Sequence, residues 1–271
     1  MKARPNMDLC GGCGAPLQQL EVLGVVVRRP CSLCGAKREA SRIARLLADA
    51  ARLVSEHSEV PSRFAGANIG DLSGAPRTAV DDFLARLPDV RALCSERLER
   101  GDAFDVRTAA ARAVANTAGL AFVGPVGTGK THALAALLIA AQGRFIAGRL
   151  VTISALLESL RATFGGRETE QQRLALYASV PLLGIDDLDK LRATEWSASA
   201  LFSVVNRRYE RELPILITSN ASPDQLLART FAATPDVGVA IVDRLVGMAP
   251  QWVRLAGRSR RRPLVASVRI A

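Results

Sequence analysis

The sequence predicts an α/β fold on a parallel sheet, preceded by a small cysteine-rich ribbon and a helical linker. Three observations carry that expectation. In GLAFVGPVGTGKTHALAALLIAA, an apolar strand, a glycine loop and an apolar helix follow one another. Two later apolar runs, VPLLGIDD and PILITSN, end in acids or an amide, as buried parallel strands do where their C-terminal ends meet a ligand. Two Cys-x2-Cys pairs stand near the start of the chain.

At 271 residues the chain has room for one large domain or two smaller ones. Apolar residues make up 49% and charged residues 23%, the composition of a globular protein rather than a disordered one. No apolar run reaches the roughly 18 residues that span a membrane, and MKARPNMDLCGGC lacks the apolar stretch of a secretory signal. A soluble, cytoplasmic protein without a membrane partner is the expectation.

The elements follow in order. Cys10, Cys13, Cys31 and Cys34 have the spacing C-x2-C-x17-C-x2-C. Each pair places two thiolates on one turn, Gly14 and Gly35 free the backbone after it, and LEVLGVVVRRP suits the strands of a joining hairpin. Four sulfurs fit one tetrahedral Zn2+ with no ligand position left open. Disulfides or a redox pair are the alternative, disfavoured in a reducing compartment. Residues 36–57 place apolar side chains at 43, 46, 47, 50, 53 and 54, one face of a helix. VPSRFAGANIGDLSGAPR has two prolines, three glycines and no periodicity, and reads as a linker or boundary. Residues 77–117 read as helical, with breaks near Pro88 and Gly101. Cys94 within them is expected to be a buried apolar residue. His57 and His132 are too isolated to suggest a metal site or acid–base chemistry. The domains expected are a ribbon over 1–40, a helical linker region over 41–117 and a nucleotide-binding domain over 118–271.

Gly124-Pro125-Val126-Gly127-Thr128-Gly129-Lys130-Thr131 matches G-x4-G-K-[ST]. The glycines let successive N–H groups turn inward around phosphates, and the helix starting near Gly129 adds its positive end. Lys130 neutralises β/γ-phosphate charge, and the Thr131 hydroxyl ligates Mg2+. Asp186 is placed to hold the same Mg2+, and Asp187 to polarise an attacking water; a helix N-cap is the plainer reading of the pair. Asn220, ending the third strand, can hydrogen-bond the γ-phosphate or the water without adding charge. Arg244 is either a surface helix residue or a γ-phosphate ligand for a neighbouring subunit.

The order GPVGTGKTH, LLGIDDLD, ITSN and VDRL…GRSRR resembles the AAA+ ATPases of the bacterial helicase-loader type, DnaC and DnaI, with the IstB transposition helpers as close relatives. VPSRFAGANI and LFSVVNRRYERELPILITSN are similar to these loaders too, so the resemblance covers about residues 58–262. It implies a RecA-like AAA+ domain with strand order 5-1-4-3-2 and a minimal C-terminal lid. It implies ATP bound by the Walker A segment from Gly124 to His132, Walker B acids at Asp186 and Asp187, and sensor 1 at Asn220. An arginine finger acting in trans falls on Arg244 and a sensor-2-like arginine on Arg261. Many AAA+ proteins carry Glu where this chain has Asp187, so slow hydrolysis is expected, with ATP acting mainly as an assembly switch. The ribbon makes the chain look more like the DnaI type, whose zinc-binding domain engages the helicase.

The resemblance further implies single-stranded DNA inside a spiral or ring of subunits. Phe164 and Trp196 are candidates for base stacking, with core or cap roles as the alternative. The formal charge is +10, and residues 236–271 carry seven basic against two acidic residues. Part of that excess serves ATP; Arg258, Arg260, Arg262 and Arg269 remain for DNA phosphates. The function expected is therefore ATP-dependent loading of a hexameric replicative helicase of the DnaB type onto single-stranded DNA. The alternatives are a transposase helper that grips duplex DNA and a zinc-ribbon scaffold gated by nucleotide without turnover. A small-molecule kinase is least favoured, because nothing after Asp187 resembles a substrate lid.

Overall fold

The computed structural model describes residues 9–15, 19–22, 25–28, 31–163, 169–257 and 259. Phe164, Arg258, Arg260, Arg261, Arg262, Arg269 and the segment expected to form the lid lie outside the described residues. The chain opens with an antiparallel pair, β1 (Gln19–Val22) and β2 (Val25–Arg28), with Gln19 opposite Arg28. A 26-residue helix follows, α1 (Ser32–His57), about 39 Å long at the α-helical rise. Its buried residues, Ala50 and Val54, and the half-buried Ile43 and Leu47 all lie beyond its third turn. The helix therefore runs across the boundary expected at residue 40.

Three shorter helices come next: α2 (Ala75–Arg86), α3 (Val90–Glu99) and α4 (Val106–Val114). Their starts are local chemistry. Gly74 turns at φ 62 and Pro76 sits in the first turn of α2, while Asp89 and Asp105 accept backbone N–H groups to cap α3 and α4. Their buried residues, among them Val80, Phe83, Val90, Val106 and Val114, belong to the same core as the sheet. The region read as a linker up to residue 117 is thus a packed part of the main body. The apolar face of α2 covers α5, β3 and β7.

The five-stranded sheet contains β3 (Leu120–Val123), β4 (Gly148–Thr152), β5 (Leu182–Asp186), β6 (Ile215–Ser219) and β7 (Gln251–Arg254) in the order β4-β5-β6-β3-β7. All four neighbouring pairs are parallel. Counted from β3 this is 2-3-4-1-5, the expected order read from the opposite edge. Both β5 and β6 are buried along their whole length, so both faces of the sheet are covered. The connecting helices are α5 (Lys130–Gly143), α6 (Ile153–Arg161), α7 (Glu170–Ser179), α8 (Glu195–Glu210), the single turn α9 (Pro223–Gln225) and α10 (Pro235–Met248). Helix α5 is apolar on nearly every side and buries Ala133 through Leu138 against the sheet. Glu59 adds a one-residue parallel bridge outside β4: its N–H donates to Gly148 O at 2.9 Å and its carbonyl accepts from Leu150 N at 2.7 Å.

One buried cation ties the loops at the other end of the sheet. Arg208 in α8 is fully buried and donates to the carbonyls of Tyr177 (2.9 Å), Val180 (2.8 Å), Pro181 (3.1 Å) and Pro214. Burial, with Arg211 nearby, lowers its pKa to about 9. Cys94 is 2% exposed, and burial pushes its thiol up. Among the described residues, no helix is long and apolar enough to cross a membrane.

Candidate functional site

The glycine loop joins β3 to α5, and two of its glycines are required by close approach. Gly124 has φ 150, and a Cβ there would lie 2.1 Å from the carbonyl oxygen of Leu255. Gly127 has φ 85, and a Cβ there would lie 2.1 Å from Ser259 Oγ. The segment after β7 therefore lies against the loop. The Lys130 side chain is buried, and its three N–H groups have oxygens at Gly124 O (2.8 Å), Pro125 O (2.8 Å) and Asn220 Oδ1 (2.9 Å). Thr128 Oγ1 donates to Pro125 O at 2.9 Å and closes the turn.

The ends of β5 and β6 bring the acids to the loop. Thr131 Oγ1 donates to Asp186 Oδ1 at 2.8 Å, and Thr218 Oγ1 donates to the same oxygen at 2.5 Å. Thr218 Oγ1 also accepts the N–H of Asp187 at 2.9 Å. That bond helps hold Asp187 in the left-handed region at φ 55, a conformation Asp tolerates better than most residues. Burial, then the charges of Asp186 and Asp189, raises the Asp187 carboxyl above the usual carboxylate range. Lys130, Thr131, Asp186, Asp187 and Asn220 share one cavity of about 690 Å³ with Val126, Gly127, Gly129 and His132. A Thr hydroxyl and an Asp oxygen 2.8 Å apart are the hard oxygen donors that suit Mg2+.

The cavity wall was not legible as such. Arg63, Phe64 and Asp71 line it, and they come from the segment read as a linker. That segment folds into two short turns, Ser62–Phe64 and Ile69–Asp71, and buries Ala67 and Leu72. His132, isolated in sequence, has Nε2 3.1 Å from Asp71 Oδ2. Arg63 stacks on the Phe64 ring at 4.5 Å. A second, smaller cavity of about 280 Å³ flanks the loop at Thr128 and Gly129, between Leu72–Pro76 and Arg254–Ala256.

Arg244 does not line the large cavity. It lies on α10 against α8, with its guanidinium 4.9 Å from the Phe202 ring and 5.5 Å from the Tyr209 ring. Its Nε donates to Asn206 Oδ1 at 3.0 Å and its Nη1 to Ala240 O at 3.1 Å. Trp196, near the start of α8, is half-buried, and Arg161 covers its ring at 4.6 Å.

The four N-terminal cysteines converge. Their sulfurs all lie within 4.8 Å of one another, with Cys10–Cys34 and Cys13–Cys31 each at 3.5 Å. Those separations are far from a disulfide's and close to the roughly 3.8 Å between sulfurs that each sit about 2.3 Å from one tetrahedral zinc. Donor set and spacing therefore fit Zn2+. The N–H of Gly12, then Cys34, lowers the Cys10 thiol to about 6, while its cysteine neighbours push Cys34 up to about 12. The second pair differs from expectation. Cys31 immediately precedes α1 without a side-chain capping bond and Cys34 lies in its first turn, so Gly35 is helical; Gly14 alone of the two has the left-handed φ, at 70.

The model of the family "IstB-like ATP binding protein" matches residues 84–264. An ATP-binding protein of an insertion sequence from Mycobacterium tuberculosis is 30% identical over 143 residues, 52% of this chain and 55% of that one. The replicative helicase loader DnaI of Bacillus subtilis is 26% identical over 151 residues, 54% of this chain and 48% of the loader. The chain thus spans about half the length of the curated relatives it matches. Among solved structures, the crystal structure of DnaI superposes with a TM-score of 0.55 at 20% identity, covering 73% of this chain and 96% of that one. AMPPCP-bound DnaA from Aquifex aeolicus gives 0.51 at 20% identity, covering 71% and 50%. At such identities these two establish a shared fold. Because the family model spans well over half of its residues, the chain belongs to the IstB-like ATP-binding proteins.

Proposed function

We propose that the chain is an ATP-hydrolysing loader that places a hexameric replicative helicase on single-stranded DNA and engages that helicase through its four-cysteine ribbon. The observation that carries the loader reading is the thiol cluster at the start of α1, ahead of the helix's packed half and of the ATP-binding body. In this reading residues 1–40 form the zinc-bound contact module. Residues 41–117 carry it, and residues 118–271 provide the nucleotide switch.

The chain's own groups would divide the work as follows. N–H groups of Gly127 through Thr131 and the Lys130 ammonium bind phosphate oxygens. Thr131 and Asp186 hold Mg2+, which when bound screens the charge of the β- and γ-phosphates. Asp187 orients a water toward the γ-phosphate and accepts its proton. Asn220 faces the same end of the cavity. The smaller cavity between Leu72–Pro76 and Arg254–Ala256 takes the base. Arg244 supplies a cation to the neighbouring subunit's site in a spiral or ring, which agrees with its distance from its own cavity. The single-stranded DNA path draws on the basic residues after β7.

The test is capture of a purified DnaB-type helicase by the full chain and by a chain lacking residues 1–40, which keeps the packed half of α1 and the Glu59 bridge. Capture lost on truncation is expected; equal capture by both overturns the role of the ribbon. The insertion-sequence relative, at 30% identity, favours a second reading, a transposase helper acting on duplex DNA. A preference for duplex over single-stranded DNA in a binding assay would select it.

A further inference from the structure

Asp189 follows the two Walker B acids by one intervening leucine, and no role has yet been given to it. Its side chain is 11% exposed and faces Asn220. One carboxylate oxygen accepts the Asn220 backbone N–H at 2.8 Å, and the other accepts Asn220 Nδ2 at 2.9 Å. Lys190 Nζ lies 3.3 Å from that second oxygen. Burial alone would raise the Asp189 carboxyl, but the two Asn220 groups and Lys190 hold it below the usual carboxylate range.

A side-chain amide has two unlike ends, and Asp189 selects between them. With Nδ2 bound to a carboxylate, Oδ1 points the other way, to Lys130 Nζ at 2.9 Å. A flipped amide would set oxygen against carboxylate and N–H against ammonium, two repulsive pairs in place of two charge-assisted bonds. Nδ2 carries two hydrogens, and the carboxylate uses one.

We propose that Asp189 is a positioning residue for the γ-phosphate end of the site: by accepting the backbone N–H and one side-chain amide hydrogen of Asn220 it fixes the amide so that its oxygen steadies Lys130 and its second amide hydrogen is directed to the γ-phosphate. This rests on the ATP reading above. Asp189 acts through Asn220, so its loss is felt where a γ-phosphate is present and is invisible once Asn220 is gone.

The experiment is a double-mutant cycle on the full chain with Mg2+, titrating AMPPCP and ADP into wild type, Asp189→Asn, Asn220→Ala and the double variant. The asparagine can accept one of the two N–H groups, not both. AMPPCP affinity is expected to fall about tenfold in D189N, the size of one hydrogen bond to a charged group. ADP affinity should stay within about twofold, and D189N should add nothing in the N220A background. Equal losses for both nucleotides, or additive losses in the double variant, would overturn the assignment. If D189N does not fold, D189S, whose hydroxyl can accept one N–H, goes through the same cycle. A wild-type chain that binds neither nucleotide would remove the ATP reading and this assignment with it. Binding of both with an additive cycle would remove the assignment alone.

Discussion

The ribbon and the main body of this chain are stabilised by opposite means. Around the sheet, β5 and β6 are buried along their whole length and α5 buries eight of its fourteen residues, and even a guanidinium, that of Arg208, is fully enclosed and donates to four carbonyls. At the cysteine cluster, Leu9 and Leu33 are 61% and 65% exposed, and Cys13 is exposed. Among the described residues the cluster buries no apolar side chain, so a fold held there would draw on the four sulfurs and a bound metal, worth on the order of 10 kcal/mol in such modules. Each region is vulnerable in its own way: the ribbon to loss of its thiol cluster or of an ion held there, the body to loss of packing.

The largest expected effect is therefore metal removal. A strong chelator should unfold the ribbon completely and leave the main thermal transition in place, read by limited proteolysis alongside a melting curve. If the main transition falls too, the two regions are one cooperative unit. Next, Lys130→Ala should weaken AMPPCP binding by more than about a hundredfold, since a buried ammonium with three oxygen partners has no substitute. The stability of the body should fall by less than in Arg208→Leu, because Lys130 and its partner Asn220 border the open cavity, where water can solvate the oxygens that the ammonium leaves. Arg208→Leu reverses that pattern: stranding the carbonyls of Tyr177, Val180, Pro181 and Pro214 should cost about 3–5 kcal/mol of stability in a denaturant titration. Nucleotide affinity of the folded fraction should be preserved. The smallest change in binding belongs to Arg244→Ala. ATP affinity should stay within about twofold while turnover or assembly is lost, because a partner subunit's site would lose its cation. Normal turnover by that variant would refute action in trans.

What could be read from the sequence was local. The glycine loop, the DD after an apolar run and each Cys-x2-Cys pair declare themselves within about ten residues, and the breaks expected near Pro88 and Gly101 fall between α2, α3 and α4. What escaped was contact between distant segments. Asp189 meets Asn220 across 31 positions, and Asp71 meets His132 across 61. Thr218, which joins Asp186 to the N–H of Asp187, sits inside a strand where a threonine signals nothing. The glycines and prolines of VPSRFAGANIGDLSGAPR suggested slack chain. They instead let the backbone make two tight turns and lie along the nucleotide cavity, with Ala67 and Leu72 as its anchors. Gly35 misled in the other direction, because the helix that starts at Ser32 runs straight through it, its N–H donating to Cys31 O at 2.7 Å.

The single bridge made by Glu59 has a consequence for how copies of this chain can meet. By taking up Gly148 O and Leu150 N–H, it fills the outer rim of β4 with the protein's own backbone. The opposite rim, β7, is four residues long and ends on Arg254. Neither rim offers a stranger a long row of free peptide groups to extend, the usual route to sheet-to-sheet growth and aggregation. Any association of copies is thereby left to helix and loop surfaces. Glu59→Pro, which removes the N–H from that bridge, should make the chain more prone to nucleotide-independent aggregation, measured by light scattering with and without ATP.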